Sequence, residues 1–201
     1  MMTDCASSHC SNHEDGDDRV AAQPVSAGRV WSRALIIFVF ALFLRLAYLY
    51  QVWGVPFMHF PSVDARRYDE WGQAIARGDW WGNEVFYQAP LYPYLVGAVY
   101  AVFGRSLPAL HVIQMLIGAG TCALAYLAGR RYFGERAGLL SGALLTIYSP
   151  AIFFDGIMHK EGLALFLLML VVYLLGRTLD GADRRTFIVA GLATGLLALT
   201  R

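Results

Sequence analysis

Two short stretches of this chain gather side chains able to do acid–base or phosphate chemistry. The first holds Asp64, Arg66, Arg67, Asp69 and Glu70; the second holds Asp155, His159, Lys160 and Glu161, and Arg201 closes the sequence. Carboxylates in such a set can act as a general base or as metal ligands. The cations can hold a phosphate. Every one of these residues also has a plainer explanation. Asp64 precedes a helical pattern over 65–77 and suits an N-cap, accepting bonds from the amides of Arg66 or Arg67. Glu161 at the start of an apolar helix complements the helix dipole, and Lys160 can snorkel.

Other polar residues carry weaker signals. Arg45 falls inside the first apolar run, where snorkelling toward the membrane surface is the expected solution. His111, on a later apolar run, reads as a hydrogen-bonded packing residue. Gly118, Gly120, Gly138, Gly142, Gly191 and Gly195 include small-xxx-small pairs, which report helix packing. Cys5, His9, Cys10 and His13 lack regular zinc spacing, and His9 and Cys10 are adjacent.

The elements that must position these groups follow from composition. Of 201 residues, 57% are hydrophobic and 15% charged, and the mean hydropathy is +0.47. Sixteen Lys and Arg against 15 Asp and Glu leave a net charge of +1, so no basic surface exists for nucleic acid. Three cysteines make no disulfide framework. Apolar runs at 33–53, 107–129, 137–154, 161–176 and 186–200 predict an all-α polytopic membrane protein with about five transmembrane helices. The last run stops where the sequence stops, so the expectation is the N-terminal part of a larger transmembrane unit.

Residues 1–32 read as a disordered acidic cytosolic tail, and they contain no apolar core of a signal peptide. A long first loop, 54–106, is rich in aromatics. Its 65–77 helix places Tyr68, Trp71, Gly72 and Ile75 on one face, which suits a helix lying at the membrane interface. The run 91–103 is apolar but only about 13 residues long, the length of an interfacial or re-entrant helix. If it does not cross, Arg130, Arg131, Arg136 and the 177–185 loop all fall on the cytoplasmic side with the N-terminus. The 54–106 loop, the 155–160 turn and Arg201 then share the outer side.

The runs Val63-Asp64-Ala65-Arg66-Arg67-Tyr68, Ile75-Ala76-Arg77-Gly78-Asp79-Trp80 and Tyr87-Gln88-Ala89-Pro90-Leu91-Tyr92-Pro93 together resemble the first outer loop of GT-C membrane glycosyltransferases. The nearest group is glycosyltransferase family 39 in the broad sense, with its protein O-mannosyltransferases and lipid A aminoarabinose transferases. Phe103-Gly104-Arg105-Ser106, Gly129-Arg130-Arg131-Tyr132-Phe133-Gly134 and the 191–201 segment are similar to the family's recurrent spacing. The resemblance covers residues 33–201.

It implies an extracytoplasmic enzyme of a bacterial cell membrane with a cytoplasmic N-terminus. The donor would be a sugar on a polyprenyl phosphate, and the acceptor a hydroxyl of a lipid, glycan or protein. Asp64 matches the family's catalytic base, which deprotonates the acceptor for inverting attack. Glu161 matches an acid of the second outer loop that orients the acceptor or a phosphate-side cation, a divalent metal ion being the one cofactor candidate. Asp155 is a second candidate for that work. Arg66, Arg67, Tyr68, Lys160 and Arg201 are the further substrate contacts. Two departures stand out. Protein O-mannosyltransferases carry Asp-Glu where this chain has Asp64-Ala65. The family's basic residue before the loop Pro is here Gln88, so Arg66 or Arg67 would take over a phosphate contact. The competing classes are a transporter or channel, its path marked by Arg45, His111 and Glu161, and a non-catalytic membrane assembly subunit.

Overall fold

The computed structural model describes residues 27–59, 63–81, 89–179, 181 and 183–200. Among them the chain is all helix: α1 (Ala27–Val52), α2 (Pro56–His59), α3 (Asp64–Ala76), α4 (Leu91–Phe103), α5 (Leu107–Phe133), α6 (Glu135–Ile147), α7 (Ser149–Gly156), α8 (Glu161–Leu179) and α9 (Arg184–Ala198). The tail residues Cys5, His9, Cys10 and His13, and the site candidates Gln88 and Arg201, lie outside the described residues.

Three helices, α1, α5 and α8, are long and apolar enough to cross a bilayer, and α6 with α7 makes a fourth candidate span. At 1.5 Å per residue the 26 residues of α1 and 27 of α5 run about 40 Å, beyond the hydrocarbon thickness. Leu35, Ile36, Val39, Phe40 and Phe43 are exposed along α1, as a lipid-facing surface requires. Local chemistry sets the ends. The Ser106 side chain accepts from the Ala109 amide (3.4 Å), with Pro108 in the first turn of α5. Gly134, at φ 87°, stops α5 and opens α6 directly.

The predicted 137–154 span is broken. The chain leaves helix at Tyr148 and restarts at Ser149 with a 54° bend. Pro150 explains it, since its ring cannot continue the helix against the carbonyl four residues earlier. The predicted 186–200 span is α9, 15 residues and about 22 Å, too short to meet the length of a full span. Its C-terminal end meets the start of α4, where the Leu199 carbonyl accepts from the Leu91 amide (3.2 Å). This is an all-α polytopic membrane protein.

Side-chain contacts sort the helix ends into two sets. At one end Glu135 accepts from Arg33, from Arg130 Nε (2.6 Å) and from the Tyr126 hydroxyl (2.9 Å), which joins the start of α1, the end of α5 and the start of α6. The Tyr132 hydroxyl donates to the Val172 carbonyl (2.9 Å), and a Cβ at Gly176 would meet Arg131 and Tyr132, which adds the C-terminal half of α8. At the other end Trp53 meets His111 edge-on at 6.1 Å, bringing the end of α1 to the start of α5. α4 has the bounds read from the sequence and is shorter than the candidate spans; it begins beside Leu199 and ends beside the start of α5.

Arg45 corrects the snorkelling expectation. It sits about 10 Å from the end of α1, yet it is 1% exposed and its Nε donates to Asp155 Oδ2 of α7 at 2.9 Å. A partner 110 positions away replaces the bilayer surface as the solution to a buried charge. His111 fits its expected packing role: it is buried, and its Nδ1–H donates to the Leu107 carbonyl (2.7 Å).

Candidate active site

The α3–α4 pair is the platform on which the first-loop residues stand. Gly72 and Gly97 let the two helices approach. A Cβ at Gly72 would lie 2.5 Å from Val96 Cγ1, and one at Gly97 would lie 2.6 Å from Ile75 Cγ2. Tyr68, Tyr92, Val96, Val99, Tyr100, Leu110 and Met158 then form one buried cluster joining α3, α4, α5 and the turn after α7.

A polar staple adds to this packing. Asp69 is 4% exposed and accepts from Arg105 Nη2 (2.7 Å), from the Tyr100 hydroxyl (2.7 Å) and from Gln73 Nε2 (3.0 Å). Burial, then the bond to Asp69, hold the Tyr100 phenol well above its ordinary value. The same carboxylate raises Arg105. Asp69 was one of several loop carboxylates in the sequence. Its partner lies 36 positions on, past any local pattern, and only the family-like Phe103-Gly104-Arg105-Ser106 run hinted at it.

Asp64 opens α3. Val63 holds the N-cap position, with φ 49° and ψ −110°, and Asp64 is the first helical residue. The N-cap reading of Asp64 is therefore displaced by one position. A positive φ is costly for a β-branched residue. The Asp64 side chain is exposed at the positive end of the helix dipole.

Facing it is the turn between α7 and α8. Ile157 is extended, and its carbonyl accepts from Gln114 Nε2 of α5 (2.7 Å), while Gln114 Oε1 accepts from the Tyr92 hydroxyl (3.3 Å). Met158 is buried in the aromatic cluster. The His159 ring stands edge-on to Tyr68 at 6.3 Å and near Phe154 at 6.0 Å. Its Nδ1 is buried with no hydrogen-bond partner among the described residues. Lys160 follows half-buried, and Glu161 begins α8 with its side chain exposed. Neither forms an ion pair with another described residue.

Tyr68 is the meeting point. It is 2% exposed and stacks edge-on against Tyr92 at 4.8 Å. Burial raises its phenol, and the charges of Asp64 and Glu161 raise it further. Tyr68 thus lies between the starts of two helices that are 97 residues apart in sequence (161 − 64). Beneath them Tyr92, Gln114, Gly162 and Leu163 line a small cleft.

The remaining predicted residues are placed differently. Arg66 pairs with Glu70 one helical turn on (2.8 Å), both exposed, and that carboxylate raises its guanidinium. Arg67 is exposed on the same helix. Asp155 is 4% exposed and bound to Arg45, so it lies beneath the turn and is closed off from the surface. Arg45 is likewise shut in that ion pair, 1% exposed. Among the described residues no group of three or more His, Cys, Asp and Glu stands close enough to hold a metal ion.

A family model described as dolichyl-phosphate-mannose-protein mannosyltransferase covers residues 87–201, taking in the α4–α9 helices. No curated protein and no solved structure matches the chain.

Proposed function

The chain belongs to the dolichyl-phosphate-mannose-protein mannosyltransferase family, membrane glycosyltransferases of the GT-C type, and on that premise we propose that it moves a sugar from a polyprenyl-phosphate donor to an acceptor hydroxyl. The observation that carries the proposal is the meeting of two segments at Tyr68: it follows Asp64 on α3, and its ring stands edge-on to His159 (6.3 Å) in the turn that leads into Glu161.

In this reading Asp64 accepts the proton of the acceptor hydroxyl as its oxygen attacks the anomeric carbon. The bond from that carbon to the phosphate oxygen breaks, the configuration inverts, and polyprenyl phosphate leaves. Exposure of Asp64 at the start of α3 suits it to meet an acceptor arriving from water. Arg66, Arg67 and Lys160 flank the site and neutralise the departing phosphate. Glu161 orients the acceptor. A carrier that stays in lipid suits a site carried on helices that lie across one end of the bundle. That end faces the extracytoplasmic side of a bacterial cell membrane, with Arg33, Arg130 and Arg136 at the cytoplasmic end. Ala65 in place of a second acid weighs toward a lipid or glycan acceptor.

The test is direct. Membranes containing the protein are given radiolabelled sugar on polyprenyl phosphate or on a nucleotide, and the product's anomeric configuration is read by NMR. Transfer from the lipid donor alone, with inversion, is expected. Transfer from the nucleotide sugar, or retention of configuration, overturns the proposal.

A further inference from the structure

We propose that the buried Arg45–Asp155 ion pair is a positioning device that sets where Glu161 stands relative to Asp64; this rests on the reading of the site given above. The pair joins α1 to the end of α7, with Nε to Oδ2 at 2.9 Å and both side chains almost fully enclosed. Around it the backbone is cut back to glycine on two further helices. A Cβ at Gly118 of α5 would fall 1.9 Å from Asp155 Oδ2 and 2.7 Å from Arg45 Nε. A Cβ at Gly162 of α8 would fall 2.6 Å from Asp155 Oδ1. One carboxylate is therefore wedged between α1, α5 and α8.

The placement of Gly162 gives the pair its consequence. Asp155 precedes the 157–161 turn and Gly162 follows it, so both ends of the turn are gathered at a single carboxylate. His159, Lys160 and Glu161 are what that closed turn displays. Gly156, beside Asp155, is also packed tightly, since a Cβ there would meet the Tyr48 ring at 2.7 Å. α1 thus fixes the turn through Arg45 and Tyr48 together. A pair serving cohesion alone would be replaceable by apolar side chains of similar bulk, often without loss of stability. A positioning pair is not, because the directional bond from Nε to Oδ2 is what holds the carboxylate against Gly162.

The experiment uses the full chain in nanodiscs, in a Cys5→Ser, Cys10→Ser, Cys122→Ala background. Spin labels on Asp64→Cys and Glu161→Cys report the distance distribution between α3 and α8 by pulsed dipolar spectroscopy. The variant is the double replacement Arg45→Met with Asp155→Leu. We expect it to stay folded, the distribution to widen or shift, and kcat of the unlabelled double variant to fall about 100-fold while donor affinity is retained. A folded double variant that keeps either the parent distribution or the parent kcat overturns the proposal. Should it fail to fold, Arg45→Lys, which keeps the charge without the Nε bond, takes its place under the same two readouts. A parent that transfers nothing from a lipid-linked donor refutes the glycosyltransfer reading instead, and the distance distribution alone then decides the positioning.

Discussion

Asp69→Asn should loosen α3 from the bundle while leaving the spans intact. The substitution keeps the shape of the side chain and removes its charge. Asp69 is buried and takes donors from Arg105, Tyr100 and Gln73 at 2.7–3.0 Å. A hydrogen bond to a charged group contributes about 1.5–3 kcal/mol. Arg105 is half exposed, with 51% of its side chain accessible, so its part is screened to roughly 1 kcal/mol. The new amide also turns an N–H toward one of the existing donors, which strands a buried polar atom at about 1–3 kcal/mol. The net loss is about 2–4 kcal/mol in docking α3 on α4, or about a 30- to 1,000-fold rise in local opening. Hydrogen exchange in nanodiscs reads it: the α3 amides should lose protection by that factor, while those of α5 and α8 stay as they were. Unchanged exchange in α3 would refute the staple, and a uniform rise across the bundle would show that Asp69 holds the whole fold.

Two further outcomes test the architecture. Gly97→Ala puts a methyl group 2.6 Å from Ile75 Cγ2 and 2.7 Å from its Cβ; the helices must part, at about 1–3 kcal/mol, seen as lower thermal stability of the purified protein. For topology, in a background without Cys5 and Cys10, a cysteine at Arg136 should resist an impermeant thiol reagent in intact cells and one at Trp81 should react. The reverse labelling would turn the bundle over.

What the sequence discloses and what it hides divides by distance along the chain. The bounds of α4 were legible because its apolar run of thirteen residues is closed off by Pro90 before it and Gly104 after it. The amphipathic pattern of α3 was legible too, within one residue at each end. The break at Ser149-Pro150 had a visible signal in Pro150, set inside an apolar run of ordinary length. Arg45 was misjudged for a different reason. Nothing local distinguishes a snorkelling arginine from one whose partner is Asp155, since the contact exists only once α1 and α7 are packed. Asp64 and Glu161 could be named as candidates from type and position. That Tyr68 lies between the starts of their helices needed the α3–α4 platform and the turn before α8 in place.

The central claim is that Asp64 is the base in sugar transfer from a lipid-linked donor, and one comparison tests it most directly. Wild type and Asp64→Asn, shown to be equally folded, are assayed with the same radiolabelled polyprenyl-phosphate sugar and acceptor across pH. Removing a general base should lower kcat by about 10²- to 10⁴-fold, with donor binding intact. Full-rate transfer by Asp64→Asn would contradict the account.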